Sequence, residues 1–164
     1  MLGRTYDREV CSAARALEVA GERWSLLILR NAAFAGVTRF TDFQQRLGIA
    51  PNVLADRLEL FVAEGLMTVA STPTGHGEYL LTKKGLDFKP VIIALTEWGD
   101  RWAAPEGRPI EYQHDACGGH VRTILHCDRC QSELGVGDVI ARPTEVMARA
   151  LERRRRRGRK SSRA

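Results

Sequence analysis

WSLLILRNAAFAGVTRFTDFQQRLGIAPNVLADRLELFVAEGLMTVASTPTGHGEYLLTKKG, residues 24–85, reads as a helix, a short helix, another full helix and two strands closed around a glycine-containing tip. Within it, RFTDFQQRLG (39–48) supplies a positioning helix and APNVLADRLELFVAEGL (50–66) a candidate recognition helix. MTVASTPTGHGEYLLT (67–82) follows as two strands whose connection holds Pro73, Gly75 and Gly77, residues that punctuate a turn rather than continue a ladder. Elements in this order predict a mainly α fold with a small β-wing, of the α+β class. It is a winged helix-turn-helix, built to set one helix into a DNA groove.

Helical spacing divides the recognition helix into two faces. Leu54, Leu58, Phe61 and Val62 fall at i, i+4, i+7 and i+8 and are expected to point inward. The opposite face then carries Asn52, Asp56, Glu59 and Ala63, flanked by Val53 and Arg57. The first turns of such a helix reach base edges, and an asparagine pairs bidentately with adenine, so Asn52 and Arg57 are the principal candidates for base contact. Pro51 suits the first helical position, where its missing N–H costs nothing. Val53 and Asp56 beside this pair, with Arg39 and Thr41 on the positioning helix, complete the helical candidates. Thr74 and His76 at the wing tip, and Lys83 and Lys84 after the second strand, are candidates for phosphates or the minor groove; the alternative is a solvated loop with ordinary surface lysines.

Flanking segments read as further helices. Residues 11–21 form a first short helix ended by Gly21 as a C-terminal cap. Glu22 to Ala35 follows with Trp24, Leu27, Ile28 and Ala32 on one face, until Gly36 breaks it. Val37, Thr38 and Arg39 suit a short third strand before Thr41 caps the positioning helix. After the wing, Thr82 is expected to cap one long helix, KKGLDFKPVIIALTEWGDRWA (83–103), bent near Pro90. Its Phe88, Val91, Ile92, Leu95 and Trp102 form a broad apolar stripe. That stripe is either core or, since the winged domain already has one, a surface for a second subunit.

A chain of 164 residues with 44% hydrophobic content suits one core of ordinary size plus a small appendage. The N-terminus lacks a signal peptide's apolar run and no segment approaches the roughly 20 apolar residues of a membrane span, so the expected compartment is the cytoplasm. The net charge of +5 is unevenly placed: residues 152–164 hold eight Arg and Lys against Glu152, leaving −2 on the other 151. Residues 1–103 balance at 12 basic and 12 acidic, without the basic footprint of a tight nucleic-acid binder. The basic run is a solvated, disordered tail on one reading and a phosphate clamp without sequence preference on the other. Before it, TEVMARALERRRRR is expected to form a short helix capped by Thr144. The divisions expected are 1–104 for DNA binding and dimerisation, 105–142 for a small β appendage, and 143–164 for a short helix and tail.

Three of the four cysteines lie in HDACGGHVRTILHCDRC (114–130), which gives His-x2-Cys, nine residues, then Cys-x2-Cys. Two such knuckles on adjacent turns of a β-ribbon close a tetrahedral site, because zinc accepts thiolate and imidazole and each x2 spacing brings a pair into one coordination sphere. HVRTILHC between them alternates like a strand. A structural zinc at His114, Cys117, Cys127 and Cys130 is expected, with His120 or His126 as alternatives to His114. Its rivals are a reduced, metal-free turn and a redox-active Cys127–Cys130 pair. Cys11 stands apart at the start of the first helix, where a free cysteine is most often a small buried hydrophobe.

These residues resemble the HxlR family of bacterial winged-helix transcriptional regulators, relatives of the MarR group. The resemblance is carried by Cys11, Gly21-Glu22-Arg23-Trp24 with Leu27, Ile28 and Leu29, Arg39-Phe40, Leu54 with Arg57-Leu58, Glu64-Gly65-Leu66, Glu78-Tyr79, Leu81-Thr82, Gly85 and Trp98-Gly99. It covers residues 11–102 and implies a homodimer joined by its first and last helices, with two recognition helices in successive major grooves of double-stranded DNA. It also implies a sequence-specific regulator, expected to be a repressor on a palindromic operator. A small molecule or electrophile would be its effector, with Cys11 as the sensing thiol. Ala50, Asn52 and Ala55 depart from the family's serine, basic residue and hydroxyl residue, removing a cap and a cation. An enzyme is not expected, since no nucleophile, base and orienter stand at a plausible spacing. The remaining alternative is a winged-helix module for protein or RNA contacts, which a near-neutral domain permits.

Overall fold

The computed structural model describes Tyr6 and residues 10–71 and 77–161, with the side chains of 154–161 left undescribed. The elements run α1 (Ser12–Ala20), α2 (Ser25–Ala35), α3 (Phe40–Leu47), α4 (Pro51–Ala63), β1 (Met67–Ser71), β2 (Gly77–Leu81), α5 (Lys83–Leu86), α6 (Lys89–Trp102), β3 (Leu125–His126), β4 (Glu133–Leu134), a 3-10 turn (Val136–Asp138) and α7 (Glu145–Ser161). No helix among the described residues is long and apolar enough to cross a membrane.

The core is assembled from one apolar residue per turn of several helices. Ile28 and Leu29 of α2, Phe43 of α3, and Leu54, Leu58 and Phe61 of α4 have no exposed surface, and Ile49, Leu66, Met67 and Ile92 join the same cluster. Each such side chain contributes about 1.5–3 kcal/mol by leaving water. The turn between α3 and α4 depends on Gly48, whose φ of 59° is left-handed and whose N–H reaches back to the Gln44 carbonyl at 2.9 Å. A side chain there meets the steric penalty that glycine avoids. Three residues later Pro51 opens α4.

β1 and β2 pair antiparallel with Met67 opposite Leu81, Val69 opposite Tyr79 and Ser71 opposite Gly77, the predicted wing. Thr82 closes its base. Its hydroxyl donates to the Gly65 carbonyl at 2.7 Å and accepts from the Gly85 N–H at 3.2 Å, while its own N–H reaches Leu66 at 2.9 Å. One residue therefore joins the end of α4, the end of the wing and the start of α5.

Several expectations are corrected. Gly21 ends α1 without a left-handed φ; a Cβ there would lie 2.5 Å from the Leu17 carbonyl oxygen, so the constraint is steric. The third strand is reduced to one bond, Tyr79 N–H to the Thr38 carbonyl at 2.8 Å, because the backbone on either side is committed to helix ends. Val37 N–H closes α2 on Asn31, and the Arg39 carbonyl receives Asp42 and Phe43 at the start of α3. Arg39, not Thr41, thus occupies the capping position, and Thr41 lies inside α3. Val62 is 37% exposed, since i+8 stands some 80° around the helix from Leu54. The long helix after the wing is two helices: Pro90 has no N–H for the Leu86 carbonyl, so α5 stops and α6 restarts with Pro90 in its first turn. The strand expected between the two cysteine knuckles is only Leu125–His126, paired with Glu133–Leu134.

The chain divides into two compact units, Arg15–Thr123 and Met1–Ala14 with Ile124–Ala164. The winged unit extends past residue 104 because Tyr112 ties the following segment down. Its ring packs on Phe34 at 4.6 Å between centroids and its hydroxyl lies 3.2 Å from Thr96 Oγ1, while both Glu97 carboxylate oxygens accept from Thr123 N–H at 3.1 Å. In the other unit α7 continues through the arginine run to Ser161, further than the short helix expected.

Phe61→Ala is expected to cost about 3–5 kcal/mol in urea unfolding, whereas Val62→Ala stays within about 0.5 kcal/mol. Equal losses at the two positions would contradict the assignment of the buried face of α4.

Candidate nucleic-acid interface

With Leu54, Leu58 and Phe61 turned into the core, the other side of α4 is set by helical geometry. Pro51, Asn52, Asp56 and Glu59 are exposed, and Val53 and Arg57 are half-buried on its flanks, in the predicted arrangement. Among the described residues no intramolecular hydrogen bond or ion pair engages the side chains of Asn52, Asp56, Arg57 or Lys83. The amide of Asn52 offers a donor and an acceptor side by side, the pattern that matches an adenine edge, and the guanidinium of Arg57 offers paired donors to guanine or to phosphate. Asp56 accepts only, which suits a cytosine amino group and repels phosphate.

Basic side chains around α4 are partly committed to their own domain. Arg39 Nε donates to Glu78 Oε1 at 3.2 Å, linking the start of α3 to β2. Lys84 Nζ donates to the Glu64 carbonyl at 2.5 Å and lies 3.9 Å from its carboxylate, linking α5 to the end of α4. Exposed pairs of this kind contribute at most about 1 kcal/mol, so a phosphate competes for either cation. Glu78 and Glu64 carry the family resemblance but are not DNA-binding candidates from sequence; only strand register and helix ends bring them to these cations. Thr41 is exposed on α3, its hydroxyl 3.4 Å from Asp42 Oδ1. Thr74 and His76 lie outside the described residues.

The stripe on α6 splits. Ile92 is 3% exposed and Phe88 packs on the core, but Val91, Leu95, Trp98 and Trp102, at i, i+4, i+7 and i+11, are 50–70% exposed. Sequence spacing merged the two rows and left out Trp98. Four large apolar side chains in line on one helix make an apolar patch of the kind that marks an association surface.

Cys11 is exposed just before α1, so it does not fill a buried slot. The Arg15 guanidinium donates to both Glu18 oxygens, at 2.8 and 3.0 Å. In the Cys/His segment, hydrogen bonds from the Ser132 side chain and backbone, and then from Cys127, hold the Cys130 thiol below its ordinary range. The donors are paired, His114 with Cys117 and Cys127 with Cys130, and among the described residues no three His, Cys, Asp or Glu side chains form a metal-holding group.

Residues 19–107 match the family model described as HxlR-like helix-turn-helix. An uncharacterised HTH-type transcriptional regulator of Mycobacterium tuberculosis is 43% identical over 136 residues, spanning 80% of this chain and 85% of that protein; one from Mycobacterium bovis matches equally. Among solved structures, PA1607, described as a candidate transcription factor, superposes with a TM-score of 0.75 at 35% identity, covering 85% of this chain and 99% of that one. PA1374 of Pseudomonas aeruginosa, described likewise, gives 0.56 at 32% identity, covering 82% and 92%. The chain therefore belongs to the HxlR-like helix-turn-helix family, and it is a DNA-binding transcriptional regulator rather than an enzyme.

Proposed function

We propose that the protein acts in the cytoplasm as a homodimeric repressor, placing two copies of α4 in successive major grooves of a palindromic operator. The observation that carries this reading is the unengaged outward face of α4, with Asn52 and Arg57 at its leading end and Arg39 and Lys84 near it on weak pairs. The exposed row Val91, Leu95, Trp98 and Trp102 supports the dimer, since a self-complementary apolar stripe is the usual substance of a two-fold interface. Two-fold symmetry of the protein then requires half-sites about 34 Å apart. Release follows when a ligand or an electrophile acting on exposed Cys11 changes the dimer.

Affinity and selectivity are carried by different residues. Asn52→Ala and Arg57→Ala are each expected to weaken binding to the protein's own promoter fragment by about 1–3 kcal/mol while barely changing binding to scrambled duplex. Deleting 153–164 is expected to weaken both and to flatten the dependence on salt. Mobility-shift titrations at two or more salt concentrations check both outcomes. An equal loss on the two DNAs from Arg57→Ala would remove base readout from this residue, and absence of any preference in the intact protein would favour the interaction-module reading, which the Asp56 and Glu59 carboxylates on α4 would then explain.

Trp98→Glu places a charge in the proposed interface and is expected to shift the sedimenting species from dimer to monomer and to lower operator affinity at least about tenfold, a difference of 1.4 kcal/mol or more. A variant that stays dimeric with full affinity would place the interface elsewhere.

A further inference from the structure

β2 meets the start of α3 through two neighbouring residues. Tyr79 N–H donates to the Thr38 carbonyl at 2.8 Å. One residue earlier on the strand, Glu78 Oε1 accepts from Arg39 Nε at 3.2 Å. Both partners are fixed along the backbone. Glu78 sits opposite Ala70 in the wing ladder. Arg39 lies between buried Val37 and Phe40, which packs on the core, and its carbonyl receives the Asp42 and Phe43 N–H groups at 3.1 Å. The backbone leaves only the Arg39 side chain free to move, and Glu78 holds it.

The two members of the pair are unequally enclosed. The Arg39 side chain is 58% exposed and that of Glu78 27%, so the acid is the inner member and the cation the outer one. Only Nε is engaged: among the described residues no hydrogen bond reaches Nη1 or Nη2. A guanidinium carries five N–H donors in one plane, so a carboxylate on Nε leaves the two-nitrogen end available for a second, bidentate acceptor. Lys84 is held differently, its Nζ donating to the Glu64 carbonyl at the C-terminal end of α4, where a lysine caps the helix. In helix-turn-helix docking the first of the two helices crosses the DNA backbone, which brings the start of α3 to phosphates. Ordering a long, mobile side chain on binding costs affinity, and a side chain already held at Nε loses less.

We propose that Glu78 is a positioning residue for phosphate recognition: it holds Arg39 by Nε and presents the Nη end to the duplex backbone. This role rests on the docking of α3 and α4 proposed above, and it assigns to the wing an acid whose removal weakens DNA binding. The sign is opposite to that of simple electrostatics, in which a carboxylate beside DNA repels phosphate and its loss strengthens every complex.

Phosphate contacts carry no sequence information, so a random-sequence duplex is the probe, titrated with the full-length protein at several salt concentrations. Arg39→Gln is expected to lower the slope of log affinity against log salt by about 0.9, the contribution of one phosphate contact. Glu78→Ala is expected to weaken binding about two- to tenfold, and to add nothing in the Arg39→Gln background. Glu78→Gln keeps an acceptor for Nε without the charge and is expected to bind at least as well as the wild type. Tighter binding by Glu78→Ala, an equal effect of it with and without Arg39, or no recovery in Glu78→Gln overturns the proposal. An unchanged slope in Arg39→Gln overturns it as well, since Arg39 then supports the wing without touching phosphate; this arm decides even where Glu78→Ala fails to fold. A wild-type protein that binds no duplex removes the docking itself, whereas wild-type binding with Glu78→Ala unchanged removes only the role of Glu78.

Discussion

Burial of Leu54, Leu58 and Phe61 on a single side of α4 is the constraint on which the rest of the molecule depends. A helix whose inner row is fully enclosed has no freedom to rotate about its axis, because turning it exposes three large side chains and costs several kcal/mol. The residues left outside, from Pro51 to Glu59, are therefore presented at a fixed angle. The neighbouring elements serve the same end: Gly48 sets the angle at which α3 delivers the chain to α4, and Thr82 ties the far end of α4 to the wing and to α5.

Charge is unevenly divided along the chain. Residues 1–103 carry as many acids as bases, and two cations beside α4 are paired with Glu78 and Glu64. The concentrated positive charge is in residues 152–164. On the proposed function this distribution would divide the work, with the basic segment holding any duplex through counterion release and the α4 face selecting among duplexes by hydrogen bonding. In the proposed dimer a second copy doubles the reading surface, which would make the Val91 to Trp102 row as consequential as α4 itself.

Local patterning was enough to find the winged helix-turn-helix. Turn glycines, the i, i+4, i+7 row of α4 and the punctuated hairpin each have a short-range cause, and they place Asn52, Asp56 and Arg57 outward as the structure does. What escaped reading depends on the chain's distant parts. Val37 to Arg39 have strand-forming residues, but their backbone groups are claimed by the ends of α2 and α3. The stripe on α6 is periodic whichever residues face the core, so only packing separates Ile92 from Trp98. Arg39 and Lys84 read as free cations until β2 and α4 bring carboxylates beside them. Tyr112 gives no signal in its own neighbourhood; its partners Phe34 and Thr96 are 78 and 16 residues away.

Selection from a pool of random duplexes with the intact protein tests the central claim most directly, since the protein itself picks out the operator sequence. Enrichment of a palindrome with half-sites about ten base pairs apart, lost on combining Asn52→Ala with Arg57→Ala, is the predicted result. A pool that stays random after repeated rounds, recovered by a protein sedimenting as a monomer, would contradict it.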